Sequence, residues 1–164
     1  MDTTTLLAQL DFSHNRLLAI LDTIEKSGQP ETKALSWRPA PGRAHIAWQA
    51  MHCAATHDRY LNVRLLNTTL KNEPVTSRFV SGTTPSDTDV PTFSTIRAEI
   101  NARYADLRAY VAAATPALLA TKMMIGTTER SVAESITLLA WHEAHHQGQI
   151  HLTWNLYKAA HGIA

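Results

Sequence analysis

Residues 131–151 read SVAESITLLAWHEAHHQGQIH. Ser131 and Glu134 have the S-x-x-E spacing of a capping box, in which serine's hydroxyl and glutamate's carboxylate satisfy the free amide donors at a helix start. The helix that begins there runs to about Ala159. On it His142 and His146 lie four residues apart and share a face, forming a two-ligand claw for a metal ion. The same letters also spell H-E-x-x-H, in which two helical histidines bind zinc and the glutamate serves as general base of a metallopeptidase.

Upstream, the apolar residues Leu6, Leu10, Leu17, Leu21 and Ile24 recur at helical spacing, and Gly28 with Pro30 ends the pattern. A second periodic run, from Ala44 through Ile46, Ala50, Cys53, Tyr60 and Val63, predicts a helix over 44–67. Phe93, Ile96, Ile100, Tyr104, Leu107 and Val111 predict a third over 93–113. Residues 68–91 are polar and carry Pro74, Gly82, Pro85 and Pro91, a connection long enough to be a lid or a crossover. The run 121–130 is too brief to assign as a strand and reads as a loop. Four amphipathic helices without a convincing strand predict an all-α four-helix bundle with a long connection between helices two and three.

Composition narrows the function classes. The chain has 164 residues, enough for one domain spanning 1–164, and its 45% hydrophobic content is ordinary for a globular protein. Fifteen Lys and Arg against fourteen Asp and Glu leave a net charge of +1, with the basic residues scattered singly, so nucleic acid is not the expected partner. No apolar run is long enough to span a membrane, and the first residues lack the basic and apolar segments of a signal peptide. A cytoplasmic protein is expected. Cys53 is the lone cysteine, so any metal must be held by nitrogen and oxygen.

Two histidines give two ligands, and a functional site usually needs a third. Residues 147–164 contain no Asp or Glu, which removes the peptidase variants that take an acidic ligand downstream. The longer signature H-E-x-x-H-x-x-G-x-x-H requires glycine at 149 and histidine at 152, whereas the chain has Gly148 and His151, each displaced by one. The bundle alternative takes the third ligand from another helix. There His52 shares a face with Trp48, Ala55 and Val63, and three histidines with water completing the sphere would leave a reactive position open.

With these residues in place, the chain resembles the DinB family, also called DinB/YfiT-like. The resemblance rests on Trp37-Arg38-Pro39 leading to Gly42, on Ile46 six residues before His52, and on His142 followed by His145-His146-Gln147-Gly148-Gln149. It spans nearly the whole chain and implies a four-helix bundle with a three-histidine metal site, whose ligands match His52, His142 and His146. It further implies a divalent transition metal, zinc or nickel, and a small-molecule substrate. Characterised members are similar to thiol-dependent transferases or isomerases that use a low-molecular-weight thiol. The chain departs from the family pattern at Ala44-His45-Ile46, where Trp-Ser-Ile is common, and at Gln147, where arginine is common. It also departs at His57, where the family often has an acidic residue and this chain has Asp58 one step later.

The chemistry expected is that of a metal-dependent transferase or hydrolase, with a non-catalytic metal-binding or interaction bundle as the alternative and an H-E-x-x-H peptidase as the minor one. A homodimer paired through an apolar helix face stays open. Glu143 is expected to be solvated on the helix flank, and Gln149, one turn beyond His146, to donate to a ligand or a substrate; they are the weaker catalytic candidates. His45, His57, His145 and His151 are expected to hydrogen-bond locally or face solvent. Trp48, Trp141 and Trp154 read as core or interface aromatics, and Cys53 as a quiet core thiol. Gly148, unfavourable in mid-helix, is expected where a neighbouring helix comes close.

Overall fold

A computed structural model describes residues 1–163 as a mostly helical protein. Its long helices are α1 (Thr3–Glu25), α3 (Ile46–Asp58), α5 (Phe93–Ala112) and α7 (Val132–His161), with short helices α2 (Glu31–Ser36), α4 (Glu73–Thr76) and α6 (Pro116–Ala120) between them. Strands β1 (Lys122–Ile125) and β2 (Thr128–Ser131) form one antiparallel hairpin. Among the described residues no helix is long and apolar enough to cross a membrane.

The helices begin where the chain supplies an acceptor. Asp2 takes the amide of Thr5 at 2.7 Å, and Thr92 takes that of Thr95 at 3.2 Å. At α7 the capping box is complete, with the Glu134 amide donating to Ser131 Oγ at 3.1 Å and the Ser131 amide to the Glu134 carboxylate at 2.6 Å. Gly162, at φ 64°, ends α7 in the left-handed conformation that glycine adopts without strain. His45 caps α3 instead of a serine: its Nδ1 accepts the Trp48 amide at 3.0 Å while Nε2–H donates to the Ser86 carbonyl at 2.9 Å.

Two of the predicted loop regions hold structure. Residues 121–130 form the hairpin, with Gly126 at φ 63° in its two-residue turn, where the twist of paired strands favours a positive φ. The connection 68–91 contains α4 and a short 3₁₀ turn, Ser77–Phe79, and runs back along α3. Arg38 pins its far end through Asp87, the Pro85 carbonyl and the Arg43 carbonyl at 2.6 to 2.9 Å.

The predicted second helix also divides. After Asp58 it widens into a π-helix over Arg59–Leu65, closed by the Leu66 amide on the Leu61 carbonyl five residues back. Asp58 is buried and gathers the returning chain, accepting from Asn62 Nδ2 at 2.6 Å and from the Lys71 amide at 3.1 Å. Val63, expected on the apolar stripe, is turned outward and 37% exposed.

Helix α1 packs on α5 and α7, and α3 packs on the same two from the other side. Two apolar clusters result. One joins Leu17, Leu21, Met51, Ile96, Ile150 and Trp154; the other joins Leu6, Leu10, Leu107, Val111, Ile136 and Leu139. The residues that fall between them along all four helices are polar and include His14, His57, Asn101 and Glu143.

Gly148 does not mark a close approach. It lies on the exposed face of α7, where a Cβ would meet nothing within 4 Å. Gly148→Ala is therefore expected to stabilise the protein by about 1 kcal/mol through helix propensity alone, read as a rise in the urea unfolding midpoint at unchanged slope.

Candidate metal centre

His52 from the middle of α3 and His142 and His146 from α7 converge, each offering a ring nitrogen within 4.8 Å of the others. His52 Nε2 and His142 Nε2 are 3.2 Å apart. Two imidazole nitrogens bound tetrahedrally to one zinc ion at about 2.0–2.1 Å would be roughly 3.3 Å apart. The cluster contains no carboxylate and no fourth histidine among the described residues. It could hold a metal ion, and the donor set is the one that suits zinc, nickel and similar ions.

The surrounding groups orient the rings. His52 Nδ1–H donates to the Phe79 carbonyl at 2.6 Å, which fixes the tautomer and turns the Nε2 lone pair toward the two α7 histidines. Trp48 stacks on the same ring at 4.7 Å, nearly parallel. A main-chain acceptor in a loop leaves no sequence signal, so this support could not be read in advance.

All three imidazoles resist protonation. Burial, followed by the neighbouring imidazoles His146 and His52, pushes His142 down to about 3. Burial, then His52 and His145, pushes His146 down to about 4. Burial also lowers His52, opposed by its bond to Phe79. Neutral rings with free lone pairs are the form a metal binds.

Glu143 is not on a solvated flank. It is fully buried, and one carboxylate oxygen accepts from His14 Nδ1 at 3.1 Å. His14 Nε2 lies 3.1 Å from Asn101 Oδ1, so the ring bridges α7 and α5. Tyr104 stacks flat on His14 at 3.7 Å and donates from its hydroxyl to Asp11. The sequence held one signal for this network, a histidine at position 14 within the apolar stripe between Leu10 and Leu17.

The other candidates separate from the centre. The Gln149 amide donates to His145 Nε2 at 2.8 Å on the exposed face, and the same side chain lies close enough to His146 to oppose the lowering of its pKa. His145 and His151 are exposed, as expected. His45 and His57 are both 1% exposed; His45 is hydrogen-bonded, whereas His57 Nε2 has no partner. Cys53 is buried, and burial followed by the charge of Glu143 raises its thiol well above the usual value, keeping it an inert thiol. Trp154 is in the core, Trp48 is half-buried, and Trp141 is 58% exposed and stacked on His145.

One cavity reaches the histidines. It measures about 240 Å³ and has His142 in its wall, together with Thr56, Arg59, Tyr60, Arg64 and Ser81. A larger and more open groove of about 670 Å³ runs beside Met1 and Trp141 and touches none of the three.

A family model described as the DinB superfamily matches residues 9–150, a span that contains all three histidines. A crystal structure described as the conserved protein of a locus from Enterococcus faecalis is 18% identical and superposes with a TM-score of 0.73. The match covers 95% of this chain and 97% of that one. At that identity the likeness shows the fold alone. No curated protein matches the chain.

Two outcomes are expected. His14→Ala leaves the Glu143 carboxylate buried without its partner and should cost about 3 kcal/mol or more, much of it regained in His14→Leu/Glu143→Met; unfolding of wild type and the two variants in urea reads this. For the chelated protein, the folded values of His142 and His146 lie below the ordinary 6.5. Protons therefore favour the unfolded chain, and stability is fullest above pH 6.5 and falls as pH drops toward 4. The decline in Tm over that window should be shallower in His142→Gln.

Proposed function

Because the chain belongs to the DinB superfamily, we propose that it is a single four-helix-bundle domain in which His52, His142 and His146 hold one divalent transition metal ion, zinc or nickel, as the centre of an enzyme acting on small molecules. The reaction class is thiol-dependent transfer or hydrolysis. The observation that carries this reading is the convergence of three neutral imidazoles on one point, with a cavity reaching one of them.

His52, His142 and His146 would hold a divalent ion there, and the ion would supply Lewis acidity at neutral pH. The chain's own residues do the rest. Phe79 and Trp48 hold the His52 ring, α7 sets the spacing of the other two, and the cavity gives a small molecule access to His142. Three donors without a fourth among the described residues support an open position and so favour an enzyme over a closed structural site.

The peptidase reading requires Glu143 to face the open position as a base. Its carboxylate is instead buried and engaged with His14, and this counts against that mechanism.

Metal analysis of purified protein should find close to one equivalent in wild type and about a tenth of that or less in His146→Ala. Chelation should lower the Tm of wild type and leave that of the variant unchanged. Full occupancy in His146→Ala would remove the ligand assignment, and turnover of candidate thiol substrates by loaded wild type decides between enzyme and binding protein.

A further inference from the structure

The cavity beside His142 carries two arginines, Arg59 and Arg64, that no carboxylate engages. Arg38, Arg78, Arg97, Arg103 and Arg108 each have an acidic partner within 4.0 Å. Arg16, Arg43, Arg59, Arg64 and Arg130 have no acidic partner among the described residues, and of these Arg59 and Arg64 share the cavity wall, which has no Asp or Glu in it. Arg64 is half-buried, its guanidinium rests on the Tyr60 ring at 4.3 Å, and its Nη1 is buried without an acceptor. A buried, unpaired guanidinium nitrogen is costly to leave unsatisfied. Arg103 holds nitrogens of the same kind, so what sets Arg64 apart is its place in a cavity wall without a carboxylate, where an acceptor from outside can meet its guanidinium.

The π-helix brings the two arginines together. On an α-helix, residues five apart are turned about 140° from one another. In a π-helix the i→i+5 bonding stacks them one turn apart. Arg59 and Arg64 are five apart within Arg59–Leu65, and both line the cavity, Arg59 exposed and Arg64 half-buried.

We infer that this cavity binds a small anion, a carboxylate or phosphate group held by Arg59 and Arg64, with the remainder of the molecule directed at the three-histidine centre. The site deepens the metal-enzyme reading and rests on it for the role of the anion as substrate, but anion binding itself does not require the metal. Thr56, Tyr60 and Ser81 add hydroxyls to the same wall, and Ala55 and Val80 add an apolar side. Polar groups converging on a partly apolar cavity are the usual make-up of a small-molecule site. At about 240 Å³ it is sized for a compact metabolite rather than a polymer.

Calorimetric titration of metal-loaded protein with succinate, inorganic phosphate and uncharged succinamide tests this. One or both anions should bind to wild type, more weakly as salt rises, and succinamide should not. The anion preferred tells carboxylate from phosphate. Arg64→Gln should weaken anion binding about tenfold or more with metal content unchanged, the double variant with Arg59→Gln should abolish it, and Arg64→Lys should retain part of it. Chelated wild type should keep an arginine-dependent affinity. No binding of either anion to wild type, equal affinity in the double variant, or succinamide binding as tightly as succinate would each overturn the proposal. The two readings fail separately: His146→Ala that keeps its metal removes the metal assignment alone, and arginine variants that bind normally remove the anion site alone.

Discussion

The contact between Glu143 and His14 sets the rotation of α7. A carboxylate placed inside a bundle is tolerated only where a donor meets it, so the helix must present Glu143 to α1, where His14 waits at 3.1 Å. Adjacent residues on a helix point about 100° apart. With Glu143 turned to α1, His142 and, one turn on, His146 are aimed at α3 and at His52. The two letters His-Glu therefore serve two different neighbours, and the register of α1 against α7 is fixed at the height where the site is built.

The same layer explains the divided core. Apolar clusters lie on either side of the polar belt, and the long helices cross it without losing their hydrogen bonds. The buried members of the belt, His14, His57 and Glu143, must find their partners within the protein. His14 does so through Glu143 and Asn101, while His57 Nε2 and the second Glu143 oxygen have no protein partner. The layer costs stability that an apolar core would not, and it stands directly behind the three histidines.

Much of this was legible in advance because it follows from local periodicity. Leu6 to Ile24 predicted α1, Phe93 to Val111 predicted α5, and Ser131 with Glu134 marked the start of α7 to the residue. The convergence of His52 with His142 and His146 followed from asking which helix could supply a third donor, and from the family resemblance. What was hidden depends on contacts distant in sequence. The fate of Glu143 turned on His14, 129 positions away, and a helix-flank glutamate with no visible partner reads as solvated. The π-helix was hidden for a related reason: Asp58 and the returning chain at Lys71 gather the α3 terminus, and no periodicity in 59–65 announces it. Arg59 and Arg64 then look unrelated, since an ordinary helix would separate them.

His52 takes its tautomer from the carbonyl of Phe79 and not from a side chain. A peptide carbonyl survives substitution, so residue 79 can change its packing without changing the tautomer of the imidazole. The next two residues, Val80 and Ser81, face the cavity and can diversify while the backbone before them keeps its place. The loop thus separates two tasks: the main chain at Phe79 holds the histidine geometry, and the side chains of Val80 and Ser81 shape the cavity wall, so the wall can be recut by substitution while the imidazole keeps its tautomer.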